Sequence, residues 1–92
     1  MTYSIQWHEE ALDDLRKIDR QTQKKIIARV TEYLSKDPLS LGKALKGIFK
    51  GFYRYRYGSY RIIYAIDRGS VMILILRISD RKDVYEDPIS NN

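Results

Sequence analysis

The sequence predicts an α+β domain with element order β-α-α-β-β-β, in which a helical hairpin packs on one face of a mainly antiparallel four-stranded sheet. Three observations predict it. Apolar residues recur at helical spacing between residues 8 and 36, residues 52–64 alternate aromatic and basic side chains, and residues 71–76 are an unbroken apolar run of strand length. The 92 residues form a single domain, 1–92, with room for one core and one site.

Met1 to Trp7 places Tyr3, Ile5 and Trp7 on one parity, which predicts a first strand. From His8 to Ile18 the stripe Ala11, Leu12, Leu15, Ile18 is helical, and Glu9, Glu10, Asp13 and Asp14 crowd the end where the helix dipole favours negative charge. His8 stands at the capping position, which makes a structural role the simpler reading of the sole histidine. Asp19 caps a second helix predicted to reach about Lys36, with the stripe Ile26, Ile27, Val30, Leu34 and Pro38 as its stop signal. The link between these helices is very short, so they run antiparallel and must bury their common stripe on the sheet. Lys24, Lys25 and Arg29 then fall on the outward side, as a solvated face or a source of long-range attraction to RNA.

Pro38 to Ile48 reads as a connection anchored by Leu45 and Ile48, with Lys43, Lys46 and Lys50 along it and beyond it extending a basic surface. The run Phe52 to Tyr64 is a β-hairpin. Gly58-Ser59 supplies a two-residue loop with glycine first, because glycine takes positive φ without steric cost. That loop sets the register: Tyr57 faces Tyr60, Arg56 faces Arg61, Tyr55 faces Ile62, Arg54 faces Ile63, and Tyr53 faces Tyr64. Arg54, Arg56 and Arg61 therefore share one face, and the tyrosines lie on the other as core. A turn at Asp67 to Ser70 leads into the most buried strand, and a tight Arg68-Gly69 turn would set Leu76 opposite Arg61. Residues 79–85 leave the sheet near that arginine.

The chain has no cysteine and no apolar run near the roughly 20 residues needed to span a bilayer, so disulfides, thiolate metal sites and a membrane partner are excluded as expectations. A reducing cytoplasm fits. No carboxylate or histidine cluster with metal-ligand spacing occurs, so no metal and no cofactor is expected. Residues 43–82 hold ten Lys/Arg against two Asp/Glu, whereas residues 1–42 balance seven against seven. This asymmetry is the footprint of a protein that meets a polyanion, or an acidic protein, on one face. Arginine's planar fork suits phosphate and keeps its charge at any physiological pH. Arg56 facing Arg61 also costs about 0.2–1 kcal/mol unless an anion lies between them. The plainer alternative is a solvated basic face.

The order of elements, the Leu45-Lys46-Gly47 link, the strand pair with Tyr60-Arg61 and Tyr64, and the ending Arg77-Ile78-Ser79-Asp80-Arg81-Lys82-Asp83-Val84-Tyr85 resemble the RelE/ParE superfamily of toxin–antitoxin modules, most closely its RelE branch, over nearly the whole chain. The resemblance implies a ribosome-dependent endoribonuclease that enters the A site and cuts mRNA there, held inactive by a cognate antitoxin that wraps around it, with no DNA binding by itself. It places Arg61 and Arg81 at phosphate-contacting positions, Tyr85 at a catalytic tyrosine, and Arg54 and Arg56 among the basic residues of the central strand. Lys82 is the candidate acid for the leaving oxygen, and Lys46 and Lys50 are further RNA contacts. Many relatives carry Gly-His-Arg where this chain has Ser79-Asp80-Arg81, and some carry lysine at positions 54 and 56. Three alternatives stay open: a ParE-like gyrase-binding toxin without nuclease activity, a plain nucleic-acid-binding module, and a decayed toxin that retains only antitoxin binding.

Overall fold

The computed structural model describes residues 2–80. Strand β1 is Ser4–Trp7, helix α1 Glu9–Arg16 and helix α2 Arg20–Glu32. Helix α3 is Pro38–Leu41, strand β2 Lys43–Ala44, β3 Phe52–Tyr57, β4 Tyr60–Asp67 and β5 Met72–Asp80. The sheet has five strands in the order β1-β5-β4-β3-β2, one more than the sequence predicts. The added strand is the two-residue β2, antiparallel to β3, which is too short to carry a periodicity. β1 runs parallel to β5 and every other pairing is antiparallel. Among the described residues no helix is long and apolar enough to cross a membrane.

Both helices start on side-chain caps. His8 Nδ1 accepts from the Glu10 N–H at 3.1 Å, a structural task that accounts for this histidine. Asp19 accepts from the Thr22 N–H at 3.0 Å. α2 ends at Glu32, and a 3₁₀ turn, Leu34–Lys36, completes the stretch predicted as one helix. Pro38 does not simply stop that helix; it opens α3, where its missing N–H costs nothing, and Asp37 caps it through the Ser40 N–H.

The core lies between the helices and one sheet face: Ala11 and Leu15 from α1, Ile26 and Val30 from α2, Leu34, and Ile62, Tyr64, Ile73, Ile75 and Ile78 from the two inner strands. Each fully buried isoleucine contributes about 1.5–3 kcal/mol. Tyr53, Tyr55, Tyr57 and Tyr60 pack against this cluster, so the tyrosine parity is core as read. Arg29 departs from its expected outward position. Its guanidinium lies 4.4 Å from the Tyr33 ring centre and 5.0 Å from that of Tyr57, joining α2 to β3. Ile48 departs too: it is 89 % exposed, on a 3₁₀ turn, Gly47–Phe49, whereas Leu45 is buried.

Asp19 and Asp67 tie stability to pH. The hydroxyl and N–H of Thr22 hold the Asp19 carboxyl below the ordinary aspartate range, and Ser70 does the same to Asp67. A depressed folded-state pKa means the contribution is complete above about pH 4 and is lost as pH falls through the folded value. The Asp19→Asn/Asp67→Asn variant keeps neutral caps and should lose less melting temperature than the parent between about pH 6 and about pH 2.5; parallel curves would refute this.

Candidate functional site

The hairpin forms with the register read from the sequence, pair for pair, around Gly58 at φ +59°. Arg54 stands opposite Ile63 and Arg56 opposite Arg61. Ile62 and Tyr64, on the other parity, are in the core under the helices, so the arginines face away from it. Adding the outer strands gives two rows across the open face. One runs Lys43, Arg54, Ile63, Arg77, and the other Arg56, Arg61, Ser79.

The third member of the second row corrects the sequence reading, which put Leu76 opposite Arg61. Two local features account for the difference. The turn between β4 and β5 is longer than a tight hairpin: Asp67 pairs with Met72, with Val71 in the left-handed region at φ 52° and Ser70 bonded to the Asp67 carboxylate. A β-bulge then places Ile75 opposite Tyr64 but Arg77 opposite Ile63, so one extra residue, Leu76, enters β5. The bulge swaps parity along the end of β5, turning Ile78 into the core and Ser79 onto the arginine face.

Asp14 of α1 fixes the strand end beyond the bulge. β1 stops at Trp7, opposite Ile75, and from there on the outer edge of β5 has no neighbouring strand among the described residues. Asp14 Oδ2 accepts from the Ile78 N–H at 2.8 Å and from Arg77 Nε at 2.9 Å, occupying that edge. Asp13 and Asp14 thus belong to the helical side, and Arg77, though in the row of Arg54, is drawn round the sheet edge to them. Among the described residues no group of His, Cys, Asp and Glu could hold a metal ion.

β2 is held in place from below. Tyr64, fully buried, donates to the Pro38 carbonyl at 2.7 Å, and burial pushes its phenol well above the ordinary tyrosine range. The Tyr64 hydroxyl fills the space where a Cβ on Gly42 would stand, 1.7 Å away. Lys43 follows directly and pairs with Arg54. Lys43, Ala44, Leu45, Lys46 and Arg54 line a hollow of about 190 Å³. The structure thus brings Lys46 to Arg54, adds Lys43, and leaves Lys50 exposed outside this hollow. Lys43 was marked by charge alone in the sequence, because the strand that aims it has no pattern.

Arg61 is half-buried, with its Nη1 atom inside the protein, and Arg56 is exposed. Ion pairs among the described residues join Arg16 to Asp13 and Arg77 to Glu10 and Asp14; none involves Arg54 or Arg56. Ile63 is 1 % exposed although it stands outside the core cluster. The open face is therefore cationic, fixed on strands, with an apolar floor. Arg81, Lys82 and Tyr85 lie outside the described residues.

The fold is an α+β layer with helices on one sheet face and Lys43, Arg54, Arg56 and Arg61 on the strands of the other. Its likeness to known proteins is more specific. Residues 5–85 match the family model described as the ParE toxin of the type II toxin-antitoxin system, parDE. Toxin RelG of Mycobacterium tuberculosis is 35 % identical over 89 residues, covering 92 % of this chain and 98 % of that protein. Toxin RelE of the same organism is 32 % identical over 75 residues, covering 82 % of this chain and 77 % of that protein. Among solved structures, the toxin-antitoxin complex RelBE2 from M. tuberculosis matches with a TM-score of 0.86 and 30 % identity, over 90 % of this chain and 95 % of the matched chain. A mutant of E. coli toxin RelE in the free state, at 21 % identity and a TM-score of 0.73 over 99 % and 98 % of the two chains, shares the fold. The chain belongs to the ParE toxin family of type II toxin–antitoxin systems, within the RelE/ParE superfamily.

Proposed function

We propose that this toxin cuts mRNA on the ribosome in the cytoplasm, with the RNA's own 2′-hydroxyl as nucleophile, and that an antitoxin protein holds it inactive. The observation that carries this reading is the Arg56–Arg61 pair on the open face, flanked by Arg54, Lys43 and Lys46. Two guanidiniums held opposite each other on rigid strands set their planar forks at a fixed spacing, which suits the oxygens of a phosphate. Attack forms the O2′–P bond and breaks the P–O5′ bond, leaving a 2′,3′-cyclic phosphate on one fragment and a 5′-hydroxyl on the other. Arg61 stabilises the charge that builds on the non-bridging oxygens. Arg54, Arg56 and the lysines hold the strand by its phosphates, a binding mode that weakens steeply with salt. One proton leaves the 2′-hydroxyl and one reaches O5′; Tyr85 as base and Lys82 as acid are the assignments the family resemblance supports, with Arg81 as a second phosphate contact. Solved complexes of related RelE toxins with RelB support an antitoxin partner.

Few groups on the open face can read bases, so the ribosome must present the strand. Purified protein should cut mRNA on programmed ribosomes roughly a hundredfold faster, or more, than the same RNA free in solution, consistent with about 10²-fold losses for small misplacement of reacting groups. Equal cutting of naked RNA would overturn ribosome dependence.

The ParE name of the matching family favours a second reading, inhibition of DNA gyrase by binding alone. That reading gives the clustered arginines no task. Pulse labelling separates the two: arrested cells lose protein synthesis first under the nuclease reading and DNA replication first under the other.

A further inference from the structure

We propose that the Ser79 hydroxyl is a further phosphate contact, donating a hydrogen bond to a non-bridging oxygen of the anion that Arg61 holds. The inference rests on the phosphate-binding reading of Arg61, and it stands apart from whether the bound RNA is cut.

Among the described residues two serines are buried, and they differ. Ser35, 1 % exposed, donates its hydroxyl to the Thr31 carbonyl at 2.7 Å, the usual local bond of a serine after a helix. Ser79 is 5 % exposed, and its Oγ has no hydrogen-bond partner among the described residues. A buried hydroxyl without a partner is unfavourable, and alanine in its place would remove the penalty. A serine kept inside a strand under those conditions points to a partner that is not part of the fold.

Its position says which. Ser79 is the cross-strand partner of Arg61, so their Cβ atoms are about 4.5–5.5 Å apart on the same face. The bulge at Leu76 is what puts it there: without the extra residue, the register that starts at the Asp67–Met72 pair would set Ile78 opposite Arg61. Bulges near functional sites commonly re-aim one side chain, and here the exchange is an apolar side chain for a hydroxyl. Arg61 is only half-buried, so an anion reaching its guanidinium comes within one strand spacing of the hydroxyl. Arg61 supplies charge and a planar fork, and Ser79 supplies a short neutral donor from the next strand. Together they grip a tetrahedral oxyanion from two sides.

The test uses the full chain with inorganic phosphate as probe, read by thermal melting, and mRNA on programmed ribosomes, read by single-turnover cleavage. Without phosphate, Ser79→Ala should melt at the parent's temperature or above it. Reaching the parent's phosphate-induced rise should take about tenfold more phosphate, the loss of one hydrogen bond to a charged acceptor. Ser79→Thr, which keeps the hydroxyl, should respond as the parent does, and cleavage by Ser79→Ala should fall about tenfold. An unchanged phosphate response in Ser79→Ala overturns the proposal, as does a fall of several degrees in its melting temperature without phosphate, which would show a structural partner for the hydroxyl. A parent protein that ignores phosphate overturns it together with the Arg61 reading. A parent that responds to phosphate through Ser79 yet leaves mRNA intact upholds the contact and removes the nuclease reading instead.

Discussion

Arg61→Ala should lose growth arrest and lower cleavage on ribosomes by about 10²–10³-fold, the effect of removing one well-aimed donor from a developing oxyanion, or about 2.7–4 kcal/mol. The fold should survive. Arg61 stands outside the core cluster, so its removal leaves the packing of helices on sheet in place. Arg61→Lys is the informative companion: it keeps the charge and loses the fork, so partial activity is expected. Arg54→Ala and Arg56→Ala should act differently, weakening binding and flattening its salt dependence by about one unit per missing phosphate interaction. Undiminished growth arrest in Arg61→Ala, with the protein present at normal levels, would remove the catalytic assignment.

The second large effect concerns stability. Gly42→Ala should lower the unfolding free energy by about 3 kcal/mol, combining the overpacking of a rigid site with the loss of the Tyr64–Pro38 hydrogen bond. For a domain of this size that is about 15 °C in melting temperature. Tyr64 cannot yield easily, because its ring is fully buried and stacked on Tyr53 with centroids 5.6 Å apart. Tyr64→Phe alone should cost about 1 kcal/mol, the net worth of the bond. In the double variant Gly42→Ala becomes cheaper, since the atom 1.7 Å from the new methyl is gone, while the ring carbon at 2.7 Å keeps the rescue incomplete. A Gly42→Ala protein that melts with the parent would show that this approach does not constrain the chain.

What the sequence disclosed and concealed follows from the length of each pattern. The hairpin from Phe52 to Tyr64 was legible because thirteen alternating residues around a glycine admit one register. Both helix starts were legible because His8 and Asp19 each precede an apolar stripe, although Leu12 and Ile27 of those stripes turn out exposed at its margin. β2 was hidden because two residues have no period, and Ile48 was misread because an apolar residue in a link looks like an anchor until the glycine at φ +68° beside it turns it outward. Arg29 was misplaced for a related reason: a long side chain reaches rings that lie off its own stripe.

The register of β5 is the instructive failure. Six consecutive apolar residues from Val71 to Leu76 look the same whichever parity faces inward, so neither the bulge nor the non-glycine residue at positive φ left a trace in the pattern. Arg54, Arg56 and Arg61 could be placed because they sit on the alternating hairpin. Ser79 could not, since its place depends on both hidden features.

Asp14 bears on the behaviour of the toxin when it is alone. A strand margin with open N–H and C=O groups invites another chain to continue the sheet, the usual route to fibrous aggregates. By holding the Ile78 N–H, the carboxylate of Asp14 closes the stretch of β5 that β1 is too short to shield. A single side chain from the first helix thus occupies a backbone donor on which a second copy of the chain could otherwise begin to extend the sheet.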